Sequence, residues 1–238
     1  MNRKHKTPYL SAFSPDMKIF ELVEAAPSLL SIFSRLDITL PFGDISVAEM
    51  CERDGRNVEL FLIICSMHAD GSYQPTRESL HCDMLQDVID YLRASHRYYA
   101  EHMLPHTSQH LEKILQHCDE LSRNLLRRFY DEYSRYIVEH FEEEERCIFA
   151  IADSSAEGTT ADCSILDMPH ADIDDRSNDI ASLIFKSLPT AAPTNLRCNT
   201  LEHIYALRDD LRRHTRVESM VLRPLVEKYI KSGNDEAL

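Results

Sequence analysis

Four stretches of the chain, residues 83–115, 119–151, 168–188 and 196–231, repeat apolar residues every three or four positions, the period of one face of an α-helix. No alternating strand pattern competes with them. Amphipathic helices of this length pack most simply as an antiparallel four-helix bundle, so the expected fold class is all-α. The polar connection from Asp153 to Pro169 and the prolines at 189 and 193 separate the later stretches. Upstream, Ser14 and Pro15 read as the cap and first turn of a helix that runs to Leu36 and breaks near Pro27. Ser46 and Glu49 have the spacing of a capping box, opening a helix that ends near Gly55, and a further helix runs from Asn57 to His68. With Gly71 to Pro75 as linker, residues 1–75 form a small helical domain and residues 76–238 the bundle.

Composition narrows the function. Forty acidic residues against 26 basic ones leave a net charge of -14, which opposes general attraction to nucleic acid or anionic lipid. The short run Asn57 to Cys65, placed like the second helix of a helix-turn-helix, is largely apolar and offers phosphates no arginine or lysine. Nucleic acid is therefore not an expected partner. No glycine-rich phosphate loop, G-x-S-x-G elbow or H-E-x-x-H string is present. The longest apolar run, Leu60 to Cys65, is too short to span a bilayer, and the basic stretch Met1 to Phe13 is followed by no signal-type apolar core. A cytoplasmic protein with no membrane partner is the expectation. Seven scattered cysteines without a C-x-x-C pair fit reduced, mostly core, thiols.

The bundle stripes carry residues that do not belong in an apolar core. The second stripe, Leu126, Phe129, Tyr133, Ile137, His140, Glu144, Cys147, places histidine and glutamate four apart. The fourth, Leu207, Leu211, His214, Val217, Glu218, Val221, Leu225, does so again. Side chains four apart share a helix face. The first stripe offers His96 and the third His170. A lone histidine on such a face is usually a hydrogen-bonded core residue; four helices each giving one, two with glutamate at the same offset, point to a shared metal site. Four imidazoles and two carboxylates suit iron or manganese better than structural zinc, and two glutamates can bridge two ions. Inward carboxylates and histidines are a known way to build a di-iron bundle, although ferritin-type sites use Glu-x-x-His.

The strings SHRYYAEHMLP (95–105), HFEEEERCIF (140–149), PHADID (169–174) and HTRVESMVLRP (214–224) resemble hemerythrin-like proteins, most closely the di-iron iron-sulfur-cluster repair family, over about residues 83–230. Successive histidines stand 44, 30 and 44 residues apart, as in that family's layout. The resemblance implies a non-haem di-iron centre on His96, His140, Glu144, His170, His214 and Glu218. It also implies a role in repairing iron-sulfur clusters under nitrosative or oxidative stress, with iron-sulfur proteins as partners. The motif of oxygen-carrying hemerythrins, H-x-x-x-x-D in the fourth helix, is not met, since Glu218 stands four after His214. Two departures stand out. The aromatic-proline pair that usually follows each motif is Phe149-Ala150 and Arg223-Pro224 here, and the D-F-C-C-G-G string of the family's N-terminal domain is replaced by DITLPFG over residues 37–43.

Helix length excludes other histidines from this centre. At 1.5 Å per residue, His106, His110 and His117 lie roughly 15, 21 and 31 Å from His96, and His203 ~16 Å before His214, which marks them as solvated or structural. In the run Glu142 to Glu145 only Glu144 is expected to point inward. Tyr99, Tyr133 and Tyr136 are candidates for hydrogen bonds that orient a ligand, against the commoner role of aromatic core filling. Three functions remain open: cluster repair, binding or sensing of dioxygen or nitric oxide, and an oxidase or peroxidase. The chain is read as something other than a conventional enzyme, with no separate catalytic residues and a homodimer allowed.

Overall fold

The computed structural model describes residues 13–39, 43–149, 171–186, 188 and 192–235. These are α1 (Ile19–Ala25), α2 (Leu30–Arg35), α3 (Val47–Arg53), α4 (Val58–Ala69), α5 (Leu85–Tyr98), α6 (Leu104–Leu115), α7 (Glu120–Glu144), α8 (Ala171–Lys186), α9 (Thr194–Val217) and α10 (Arg223–Asp235). No strand occurs among the described residues, and no helix there is long and apolar enough to cross a membrane. The chain forms two compact units, one of residues 92–215 and one of residues 1–91 with 216–238.

The larger unit is an antiparallel bundle. Its core joins Tyr99, Leu104, Leu111, Ile114, Tyr130, Tyr133, Ile137, Phe141, Ile173, Ile180, Ile184, Ile204, Leu207 and Leu211. Paired contacts run in opposite directions along neighbouring helices and so fix the register. Arg127 grips the Glu112 carboxylate with two bonds of 2.7 Å, and the Tyr130 hydroxyl donates to Leu104 O at 2.7 Å. Arg212 reaches Asp174 at 2.8 Å and Arg208 reaches Asn178 at 3.1 Å. The α6–α7 turn is closed from both sides. Asp119 caps α7 by accepting from Ser122 N at 2.9 Å, and Arg123 donates to Leu115 O and Cys118 O at 3.0 Å. On the α7 stripe Phe129 proves exposed, and the neighbouring Tyr130 is the buried ring.

Among the described residues, three π-helical turns interrupt the long helices, at Tyr99–Met103, Glu145–Phe149 and Glu218–Leu222. Two have a visible cause. Leu104 N–H returns to Tyr99 O and Arg223 N–H to Glu218 O, five residues back, just before Pro105 and Pro224. A proline inside a helix has no N–H and crowds the carbonyl four residues earlier, and a wider turn relieves that clash. The second π turn has no proline after it, since position 150 is alanine.

The other unit is built from the N-terminal helices and the C-terminal one. Leu60 to His68 on α4 are buried in succession, as suits a helix apolar on all sides. Lys228 donates to Arg77 O and Leu80 O at 2.7 and 2.6 Å, and Arg216 to Met67 O and Tyr73 O at 3.3 and 2.6 Å. The expected capping box forms, with Glu49 N on Ser46 Oγ at 3.1 Å and Ser46 N on Glu49 Oε2 at 2.6 Å. Helix α3 ends with Gly55 at φ +65° and Arg56 N on Cys51 O at 2.8 Å, the left-handed closure that favours glycine. One boundary differs from expectation: the first helix begins at Ile19, and Ser14 opens a turn instead. The cause is tertiary, because Val47 N and Ala48 N take the carbonyls of Met17 and Pro15 at 2.9 Å.

Cys51, Cys65 and Cys118 are buried, Cys147 is half-buried, and Cys82 and Cys198 are exposed. Burial pushes the Cys51 thiol up to about 12, which leaves it inert as a nucleophile. Cys163 lies outside the described residues, as do Leu40, Pro41 and Phe42.

Candidate metal centre

Three side chains from three helices of the bundle unit meet in its interior. His96 (α5), Glu144 (α7) and His214 (α9) each turn a ligand atom to within 4.8 Å of the others. The Nε2 atoms of His96 and His214 stand 3.1 Å apart, and Glu144 Oε2 lies 3.4 Å from His96 Nε2. The other oxygen of Glu144 faces a different ring, with Oε1 3.1 Å from His140 Nε2 one turn earlier on α7. Glu144 is 1% exposed. Glu218, four residues after His214 in the same helical run and hence on the same face, is 2% exposed. His170 lies outside the described residues.

Such a donor set fits a metal. The partners of the Glu144 carboxylate named above are imidazoles, and a carboxylate removed from water costs several kcal/mol unless positive charge is brought to it. A divalent cation supplies that charge while accepting the converging Nε2 lone pairs. Imidazole and carboxylate together are the donors that suit iron.

The surroundings hold the rings in place. His96 Nδ1 lies 2.9 Å from Glu145 Oε1, and the imidazole draws that carboxyl below the usual carboxylate range. Donation from Nδ1–H leaves the Nε2 lone pair free for a metal, the pattern by which a neighbouring carboxylate fixes a ligand's tautomer. Phe141 stacks on the His96 ring at 4.1 Å with the planes 10° apart.

Glu145 is a candidate for orienting His96, and a reading of the charged run by its α-helical face leaves it out. It stands at the first position of a π turn, flanks the inward face, and reaches His96 while its side chain stays 43% exposed. Its presence at the end of the HFEEEE string was the available signal, but an α-helical face count hides it.

The tyrosines are placed as follows. Tyr99 is buried, sets its ring edge-on to His214 at 5.5 Å, and donates its hydroxyl to Asp210 O at 3.1 Å. Tyr133 is buried, and burial raises its hydroxyl well above the usual tyrosine value. Tyr136 donates to Asp172 Oδ2 at 3.4 Å, with the Arg176 guanidinium 4.7 Å above its ring. Of the histidines excluded from the centre, His106, His110 and His203 gather into a group of their own.

Two of the π turns adjoin this cluster: Tyr99 follows His96 by three residues, and Glu145 follows Glu144 directly. Single π turns occur disproportionately at functional sites. Comparison with known families agrees with the geometry. The model of the hemerythrin HHE cation-binding domain matches residues 87–227, more than half of the chain. No curated protein and no solved structure matches it. With its helical bundle and its inward histidines and glutamate, the chain belongs to the hemerythrin HHE cation-binding family.

Proposed function

We propose that the cluster holds two iron ions, with manganese as the alternative, on His96, His140, Glu144, His170, His214 and Glu218. The observation that carries this reading is the split of Glu144, whose Oε1 faces His140 and whose Oε2 faces His96. A carboxylate addressing two histidines through separate oxygens is suited to bridging two ions. Bound irons would supply redox chemistry and exchangeable positions for small ligands. The protein's own residues orient the donors and exclude water. Glu145 sets the His96 tautomer, Phe141 fixes its plane, and Tyr99, anchored on Asp210 O, braces His214.

The biological role proposed is iron-sulfur-cluster repair under nitrosative or oxidative stress, by likeness of the four motifs to the repair subgroup. A second reading, binding or sensing of dioxygen or nitric oxide, is favoured by one feature: the cysteine pair of that subgroup's N-terminal domain is replaced by residues such as Thr39 and Leu40. Metal analysis with an optical spectrum on protein purified without oxygen tests the centre, with about two irons per chain expected. One tightly held zinc and no iron, in protein made with ample iron, refutes it. Repair of a nitrosylated iron-sulfur protein at catalytic speed supports the first role. Nitric oxide binding without repair supports the second.

A further inference from the structure

The bundle unit carries a second gathering of imidazoles. His106 and His110 are one turn apart on α6, His203 comes from α9, and the three offer ligand atoms within 4.8 Å of one another. Ring centroids are 4.9 Å apart for His106–His110, 4.6 Å for His106–His203 and 3.9 Å for His110–His203. His106 is exposed and the other two are half-buried, so solvent ions reach the group. We propose that His106, His110 and His203 form a separate binding site for a divalent transition-metal ion of the zinc, copper or nickel type.

Several features favour this over a chance surface grouping. All three donors sit on helices, and the two helices are held together beside them, since the Thr200 hydroxyl on α9 lies 3.2 Å from His110 O on α6. The site is thus largely formed before an ion arrives. Protonated, the three rings would repel one another at these separations; as neutral imidazoles they present lone pairs. Burial and neighbouring charge, chiefly that of the other histidines with Lys113 nearby, hold His110 and His203 below the ordinary imidazole pKa, with Glu202 acting the other way on His203. Deprotonated ligands are what metal binding requires. Three imidazoles without thiolate select borderline cations over magnesium or calcium, and leave a fourth tetrahedral place to solvent. The site is distinct from the buried one, because His106 is ten residues beyond His96, roughly 15 Å along the helix.

The test uses full-length protein loaded with iron and then titrated with zinc. The wild type should bind one more zinc per chain than a His110→Gln/His203→Gln variant. Loss of outer-sphere support alone costs about 10–100-fold in metal affinity, so loss of two ligands should cost at least that. Zinc entering the buried cluster would be common to both proteins and cancels in the comparison. His106→Gln, at an exposed ring, should show the same direction of loss and serves if the double variant folds poorly. Crystals soaked in zinc should show an anomalous peak among the three rings. Equal stoichiometry and affinity in wild type and variants, or no peak there, overturns the proposal.

Discussion

Replacing Glu145 by glutamine tests whether a carboxylate outside the metal's own coordination tunes the centre. The change keeps the side chain's size and hydrogen-bonding reach but removes the charge that faces His96 Nδ1 at 2.9 Å. Partners of this kind are worth about 10–100-fold in metal affinity, or roughly 1.4–2.8 kcal/mol at 1.4 kcal/mol per factor of ten. Because the Glu145 side chain is 43% exposed, water replaces part of what is lost, which places the expected effect near the lower end, about tenfold. The assay is competition for ferrous iron against a chromophoric chelator without oxygen. Glu143→Gln is the control, since Glu143 pairs with Arg146 and lies beside Cys147. Iron affinity of Glu145→Gln within about twofold of wild type, or an equal loss in Glu143→Gln, refutes the reasoning.

Glu144→Ala and Glu218→Ala should each lower iron content, whereas Glu143→Ala should not, as measured by metal analysis of purified protein. Leu207→Ala should destabilise the bundle by about 2–5 kcal/mol in denaturant unfolding, since Leu207 is wholly buried in its core. Removal of metal should lower the melting temperature, because a ligand at 100 times its dissociation constant stabilises by about 2.7 kcal/mol. The Asp119 cap gives a pH signature: its carboxyl is held below the usual range by the Ser122 N–H and hydroxyl. Its folded pKa lies below the unfolded one, so its contribution is complete above the unfolded pKa and is lost as pH falls through the folded value. Asp119→Ala should flatten the acid limb of a pH–stability profile.

The bundle was legible because its stripes are long and because His96, His140, Glu144, His214 and Glu218 each break an apolar face at helical spacing. Such residues are expensive to bury, and their repetition on several helices is hard to produce by chance. What escaped the sequence depends on relations between helices or on departures from the α period. Distance along a helix separates His106, His110 and His203 from the buried centre but says nothing of their distance from one another. Their proximity to one another follows from the register that sets Thr200 against His110, which no single stripe encodes. Glu145 escaped because the α period is lost where it stands. The first helix starts late because carbonyls at Pro15 and Met17 are claimed by a segment 30 residues away in the chain, a competition that local cap chemistry does not reveal.

A π turn holds one residue more than the α turn it replaces, so everything beyond it is rotated about the helix axis by roughly the angle of one residue. Within the rod from Leu85 to Leu115 the turn at Tyr99–Met103 therefore divides two angular settings. One aims His96, and the other aims Leu111, Ile114 and Leu115 at the bundle core. The same logic says what a single deletion there would do: losing Met103 would restore the α pitch and leave Leu111, Ile114 and Leu115 facing the core as before, but it would press Pro105 into the carbonyl behind it.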